Sequence, residues 1–180
     1  MEKHLTRIAL FAALIAALGL LPKLTLTSGI PITAQSMGIM LAGTILGARN
    51  GALSVLLFLF LVALGLPLLA GGRGGLGVFF GPTLGYLIGF AIGAYVTGLV
   101  AERFTNRMSF VAALSGAVVG GIGVVTVCGI LGMAVMMDVS LVTATGFALP
   151  FIPGDLIKAG ITAAITAAFW KARPSLANAA

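Results

Sequence analysis

Long apolar runs, punctuated by proline, glycine and charge, set the pattern of this chain. Six runs stand out, at about Leu5–Leu21, Gln35–Leu46, Ala52–Leu66, Pro82–Ala101, Phe110–Met133 and Pro153–Ala172. A helix rises about 1.5 Å per residue and the hydrocarbon core is about 30 Å thick. The first, fourth, fifth and sixth runs are therefore long enough to span a bilayer. The second and third are marginal, suited to tilting or to the bundle interior. Lys3 and Arg7 ahead of an apolar stretch resemble the start of a signal peptide. Equally apolar segments follow, so a first transmembrane helix is the expectation.

The punctuation also has a pattern. Gly47-Ala48-Arg49-Asn50-Gly51 separates runs two and three. Three longer connections contain Pro22, Ser28, Gly29 and Pro31, then PLLAGGRGGLGVFFGP at 67–82, then Asp138, Phe147, Pro150 and Pro153. All three are apolar, yet Gly and Pro break them. Irregular backbone cannot face lipid with its N–H and C=O groups unpaired. These connections are expected to fold over the bundle or line a cavity.

Composition fixes the class. Of 180 residues, 60% are hydrophobic and 8% charged, against about 25% charged in a soluble domain. The expectation is one integral membrane domain over residues 1–180. The formal charge is +6, but the basic residues are scattered and form no nucleic-acid footprint. Lys3, Arg7, Arg49, Arg103, Arg107, Lys171 and Arg173 fall on one side of a six-segment threading, and Lys23 and Arg73 on the other, with Lys158 at that second side's end of run six. The positive-inside rule then places both termini in the cytoplasm. One cysteine, Cys128, and one histidine, His4, leave no disulfide and no Cys/His metal spacing.

The candidate chemistry is sparse. In FIPGDLIKAG, residues 151–160, Asp155 and Lys158 share a helix face at i, i+3. Pro153 and an acidic first turn suit a helix start. Lys158 stands on the wrong end of the dipole and inside an apolar segment, where an ionisable residue marks a functional site by default. An interfacial ion pair is the competing reading. In GGRGG, 71–75, glycines permit close backbone approach and Arg73 offers a planar donor fork; a solvated loop arginine competes. Glu102 beside Arg103 reads as a solvated loop pair. Gly81, Gly85, Gly89 and Gly93 in run four, and Ala159, Ala163 and Ala167 in run six, are small-residue rows for close helix packing. No metalloprotease, nucleophile-elbow or ATP-binding motif is present, so no catalytic constellation emerges.

Three stretches carry a resemblance: IPITAQSMGIMLAGTILGARNGALSVLLFL at 30–59, GLPLLAGGRGGLGVFFGPTLGYLIGF at 65–90, and FIPGDLIKAG at 151–160. With them the chain resembles the BioY family, the biotin-binding S components of energy-coupling-factor transporters. The resemblance implies an all-α bundle of six transmembrane helices. Its first and third outside loops would cap an outside-facing pocket. It implies high-affinity biotin uptake without enzymatic activity or a cofactor, in a prokaryotic plasma membrane. The implied partners are a transmembrane coupling subunit and a pair of ATPases. By the same resemblance, Asp155 accepts from the ureido N–H groups and Lys158 holds polar oxygen. Arg73 is the other candidate for the valerate carboxylate, Gln35 and Tyr86 donate or stack near the mouth, and Phe79 or Phe80 supports the apolar ring. A row at Ala9, Ala13 and Ala17 matches the family's docking helix, with Ala12 and Ala16 as a competing face. The alternative within transport is a stand-alone or proton-coupled carrier of a small anionic metabolite, with Asp155 titrating. A lipid-acting membrane enzyme is the reading from another class.

Overall fold

A computed structural model describes residues 2–22, 24–25, 31–104 and 109–172. Lys23, Ser28, Gly29, Arg107 and Arg173 lie outside these residues. The architecture is all-α apart from one small ribbon. Helix α1 is Glu2–Leu18, and a two-residue antiparallel ribbon pairs β1 (Leu24–Thr25) with β2 (Pro31–Ile32). Then come α2 (Gln35–Leu46), α3 (Ala48–Ala63) and α4 (Leu84–Glu102). Helix α5 (Phe110–Gly116) continues through a π-helical stretch, Ala117–Val124, into α6 (Val125–Met136). Helices α7 (Leu141–Ala148) and α8 (Ile152–Ala172) follow, joined by a 3-10 turn at Leu149–Phe151.

Run two matches α2, and the other boundaries move for local reasons. The expected break at 47–51 shrinks to one residue. Gly47 has φ +82°, a conformation that favours glycine, and its N–H still bonds to Gly43 O at 3.0 Å. Arg49 and Asn50 therefore sit in the first turn of α3 rather than in a loop. Glu102 is exposed as expected, but it ends α4 rather than lying in a loop, and its Oε1 accepts from Ala48 N at 2.9 Å, capping α3. Helix α1 has 17 residues, about 26 Å, so it joins α2 and α3 among the shorter apolar helices. Among the described residues, the helices long and apolar enough to cross a membrane are Leu84–Glu102, Phe110–Met136 and Leu141–Ala172, the last counted through its 3-10 turn.

Helix α7 was expected as loop. Ser140 Oγ accepts from Thr143 N at 3.2 Å, a side-chain N-cap that starts the helix. Ala144 and Ala148 then bury against Met133 and Phe151. Gly146 and the flanking prolines read as loop punctuation, but this packing outweighs the roughly 1 kcal/mol that one glycine costs a helix.

The bundle is apolar outside and partly polar inside. Leu56, Phe60, Ile92, Val127, Val135 and Ile161 are exposed, whereas Ser54, Thr97, Thr162 and Thr166 are fully buried. Water would penalise that exterior; lipid does not, and buried hydroxyls then act between helices. Thr44 and Thr166 share a hydrogen bond of 2.8 Å across α2 and α8. Helices α2 and α4 lie at the centre. A Cβ on Gly85 would land on Cys128 O of α6, and one on Gly98 on the Ala48 backbone. Gly85, Gly89 and Gly93 thus form the expected packing row, while Gly81 precedes α4 with open space beside it. Ala159 and Ala163 are buried and Ala167 is half-buried.

The connection from α3 to α4 covers one end. Gly71 and Gly72, at φ +82° and +68°, turn the chain so that Leu69 and Arg73 pair through N–H···O bonds of 2.9 and 3.2 Å. This tucks Leu69 and Ala70 into the bundle, at 4% and 1% exposure. Burying the leucine side chain contributes roughly 2 kcal/mol to holding the loop down.

Candidate functional site

Beneath that loop lies a cleft walled by four parts of the chain. The α2 entry supplies Thr33, Gln35 and Ser36, and the loop supplies Leu69 and Arg73. Thr83, Tyr86, Leu87 and Phe90 come from the start of α4, and Val125 from α6. Phe151, Asp155 and Lys158 come from the entry to α8. The five candidates Gln35, Arg73, Tyr86, Asp155 and Lys158 are thereby brought to one cavity. Its enclosed volume is about 60 Å³, within a cleft of about 550 Å³ that includes the open mouth.

The polar floor is a three-residue knot. Lys158 Nζ donates to Asp155 Oδ1 at 2.9 Å and to Ser36 Oγ at 3.0 Å, and Ser36 Oγ lies 3.2 Å from the same Oδ1. The two charged side chains are 15% and 13% exposed, so the pair is shielded but reachable. Oδ1 takes both bonds; among the described residues Oδ2 takes none. Lys158 likewise has a third N–H to give. The knot therefore presents one carboxylate oxygen and one ammonium donor to whatever enters. Ser36 was missed as a site residue. Its signal was present, a Thr-Ala-Gln-Ser stretch opening an otherwise apolar run.

Gln35 is 2% exposed and its amide is occupied. Nε2 donates to Ile15 O at 3.2 Å and to Leu68 O at 3.0 Å, and Oε1 accepts from Ala70 N at 3.1 Å. Ile15 O is among the last four carbonyls of α1, which lack full intrahelical partners. The side chain thus ties α1, α2 and the covering loop together; its two donors are spent on backbone. Arg73 sits at the rim, with Nε 3.4 Å from Ala70 O.

Tyr86 lies deeper. Its ring stands 5.8 Å from that of Phe151, tilted by 32°, and Gly129 makes room for it. Its hydroxyl is buried with no hydrogen-bond partner among the described residues. A buried, unpaired O–H costs about 1–3 kcal/mol, so it stands ready to bond an incoming acceptor or donor. The expected apolar supports are corrected. Phe79 packs on the core and Phe80 is 80% exposed, and neither lines the cavity. Phe90, Tyr86 and Phe151 provide the aromatic wall instead, because the 3-10 turn Leu76–Phe80 runs outside the cleft.

Packing separates the two alanine rows of α1. Ala12 is buried and Ala16 half-buried against the bundle, whereas Ala9, Ala13 and Ala17 are exposed along one outward stripe. Among the described residues no three His, Cys, Asp or Glu side chains converge as metal ligands.

Comparison with known proteins agrees with this architecture along nearly the whole chain. A sequence model of the BioY family matches residues 2–175. The biotin transporter BioY of Rhodobacter capsulatus is 50% identical, over 97% of this chain and 97% of that protein. The biotin transporter BioY of Rhizobium etli is 46% identical, over 97% and 96%. The crystal structure of an S-component for biotin from an ECF-type ABC transporter superposes with a TM-score of 0.86 at 35% identity, covering 94% of this chain and 92% of that one.

Proposed function

The chain belongs to the BioY family, and from that premise we propose that it binds biotin at the knot of Asp155, Lys158 and Ser36 for uptake. It acts as the substrate-specific subunit of an ECF-type ABC transporter, in transport rather than catalysis. The observation that carries the reading is the knot's spare pair, one carboxylate oxygen beside one ammonium donor, under an apolar wall. Biotin offers the complement: two ureido N–H donors, a ureido carbonyl, an apolar thioether ring and a carboxylate tail.

In this reading Asp155 Oδ2 accepts from the ureido N–H, and Lys158 donates to polar oxygen. Leu87, Phe90 and Val125 enclose the thioether ring. Arg73, at the rim, meets the valerate carboxylate with its planar fork. Small-molecule sites measure roughly 300–1,000 Å³, far above the enclosed 60 Å³. The covering loop with Leu69 and Arg73 therefore lifts to admit the bicyclic ring and settles over it.

The membrane arrangement follows from the same reading. Six crossings are made by α1, α2, α3, α4, α5–α6 and α8, with α7 beside the pocket; local thinning of the bilayer and the connections at their ends make up the length that α1, α2 and α3 lack. The pocket faces outward and both termini face the cytoplasm of a prokaryotic cell. The exposed row Ala9, Ala13 and Ala17 lets a transmembrane coupling subunit approach closely, and paired ATPases supply the energy.

Equilibrium biotin binding to the purified chain in detergent tests this, beside Asp155→Asn and Lys158→Ala. A hydrogen bond to a charged group is worth about 1.5–3 kcal/mol, so each change weakens binding about ten- to hundredfold. Folded wild-type protein that ignores biotin would end the substrate assignment. Wild-type binding untouched by either substitution would make the knot purely structural.

A further inference from the structure

The opposite end of the bundle holds a second cavity, of about 230 Å³, that biotin recognition does not use. Helix α1 contributes His4 and Arg7, α3 contributes Arg49 and Asn50, α4 contributes Glu102, and α8 contributes Trp170. The chemistry is lopsided. Among the described residues neither Arg7 nor Arg49 has a carboxylate within 4 Å; the one salt bridge, Lys158–Asp155, is at the other end. Glu102 is already engaged with Ala48 N. The backbone N–H groups of Arg49 and Asn50, in the first turn of the 16-residue α3, have no hydrogen bond among the described residues. Trp170 is 8% exposed and its Nε1 has no partner among the described residues. Topology requires only that basic residues lie at this end. It does not require half-buried Arg7 and exposed Arg49 to line one cavity together with a helix N-terminus and neutral donors.

We propose that this cavity binds a phosphate group. Guanidinium forks match phosphate oxygens in two-pronged geometry, and the first-turn amides of α3 with its positive dipole end complete an anion site. Asn50 supplies a further donor at the wall. Two sources share that chemistry, the head group of an anionic phospholipid and a soluble phosphate.

The test is thermal unfolding of the full chain in two settings. In detergent, inorganic phosphate is titrated against chloride at matched ionic strength. In reconstituted vesicles, phosphatidylcholine is compared with and without phosphatidylglycerol. Wild type is run beside Arg7→Gln/Arg49→Gln and beside Arg103→Gln, an exposed arginine at the end of α4 outside the cavity. Phosphate should raise the wild-type midpoint. Each lost arginine should raise the half-maximal concentration about tenfold, and Arg103→Gln should leave it unchanged. The same variant pattern with phosphatidylglycerol alone assigns the site to lipid. An equal response to chloride, an equal response in the double variant, or no response in either setting overturns the proposal. Should the double variant fail to fold, exposed Arg49→Gln alone carries the comparison. Biotin binding, read at the other end, serves as the folding control and keeps this test separate from the substrate reading.

Discussion

Replacing Gln35 with alanine removes three hydrogen bonds that join α1, α2 and the covering loop. A net hydrogen bond is worth about 1 kcal/mol, so the sum approaches 3 kcal/mol. Water reaching the emptied site recovers part of that, which leaves a loss of about 2 kcal/mol. The loss falls on the anchoring of Leu68 and Ala70, beside the two cavity-lining residues of the loop. If the loop settles over the ligand, biotin affinity drops about thirtyfold. The drop should appear as faster release, because a loose cover leaves the encounter unaffected. Gln35→Glu sharpens the test. The carboxylate still accepts from Ala70 N but turns oxygen toward two carbonyls, so it should be at least as damaging. The assay is biotin dissociation by competition with labelled ligand, together with the melting midpoint in detergent. Unchanged dissociation and midpoint in both variants would refute the anchoring argument. An unchanged midpoint with a large loss of affinity would return Gln35 to direct ligand contact.

Three further outcomes are expected. Tyr86→Phe deletes a buried, unpartnered hydroxyl; the melting midpoint should hold or rise while biotin affinity falls about fivefold to tenfold, and no change in affinity would reduce Tyr86 to an aromatic wall. Gly98→Ala places a methyl on the Ala48 backbone, where neither side can yield, so a loss of about 3 kcal/mol or more should show as poor recovery of folded protein; normal recovery would contradict the α3–α4 packing. Ala13→Trp, on the exposed stripe of α1, should leave biotin binding intact and block co-purification with the coupling subunit and ATPases, and normal assembly would move the docking face elsewhere.

Hydropathy by itself determined the membrane class, the position of most helices and the ends at which charge collects. These are local properties, fixed by which residues tolerate lipid and which break a helix. The pair Asp155–Lys158 was also legible, because i, i+3 spacing on a helix is a local geometry. The tertiary structure decided the rest. Ser36 joins the knot from 119 residues away, and no local pattern carries a contact of that separation. Gln35 looked like a ligand donor until three backbone groups from two other elements claimed its amide. Glu102 is exposed, as the sequence suggested, but its bond to Ala48 N arises only because the turn at Gly47 brings the start of α3 against it. Ala9, Ala13 and Ala17 could not be told from Ala12 and Ala16 by residue type, since every face of α1 is apolar; only packing chose which alanines are buried. Helix α7 hid for a related reason. In lipid both inward and outward faces are apolar, so the period that marks a helix in water is erased, and what remains to fix each face is the partner it packs against.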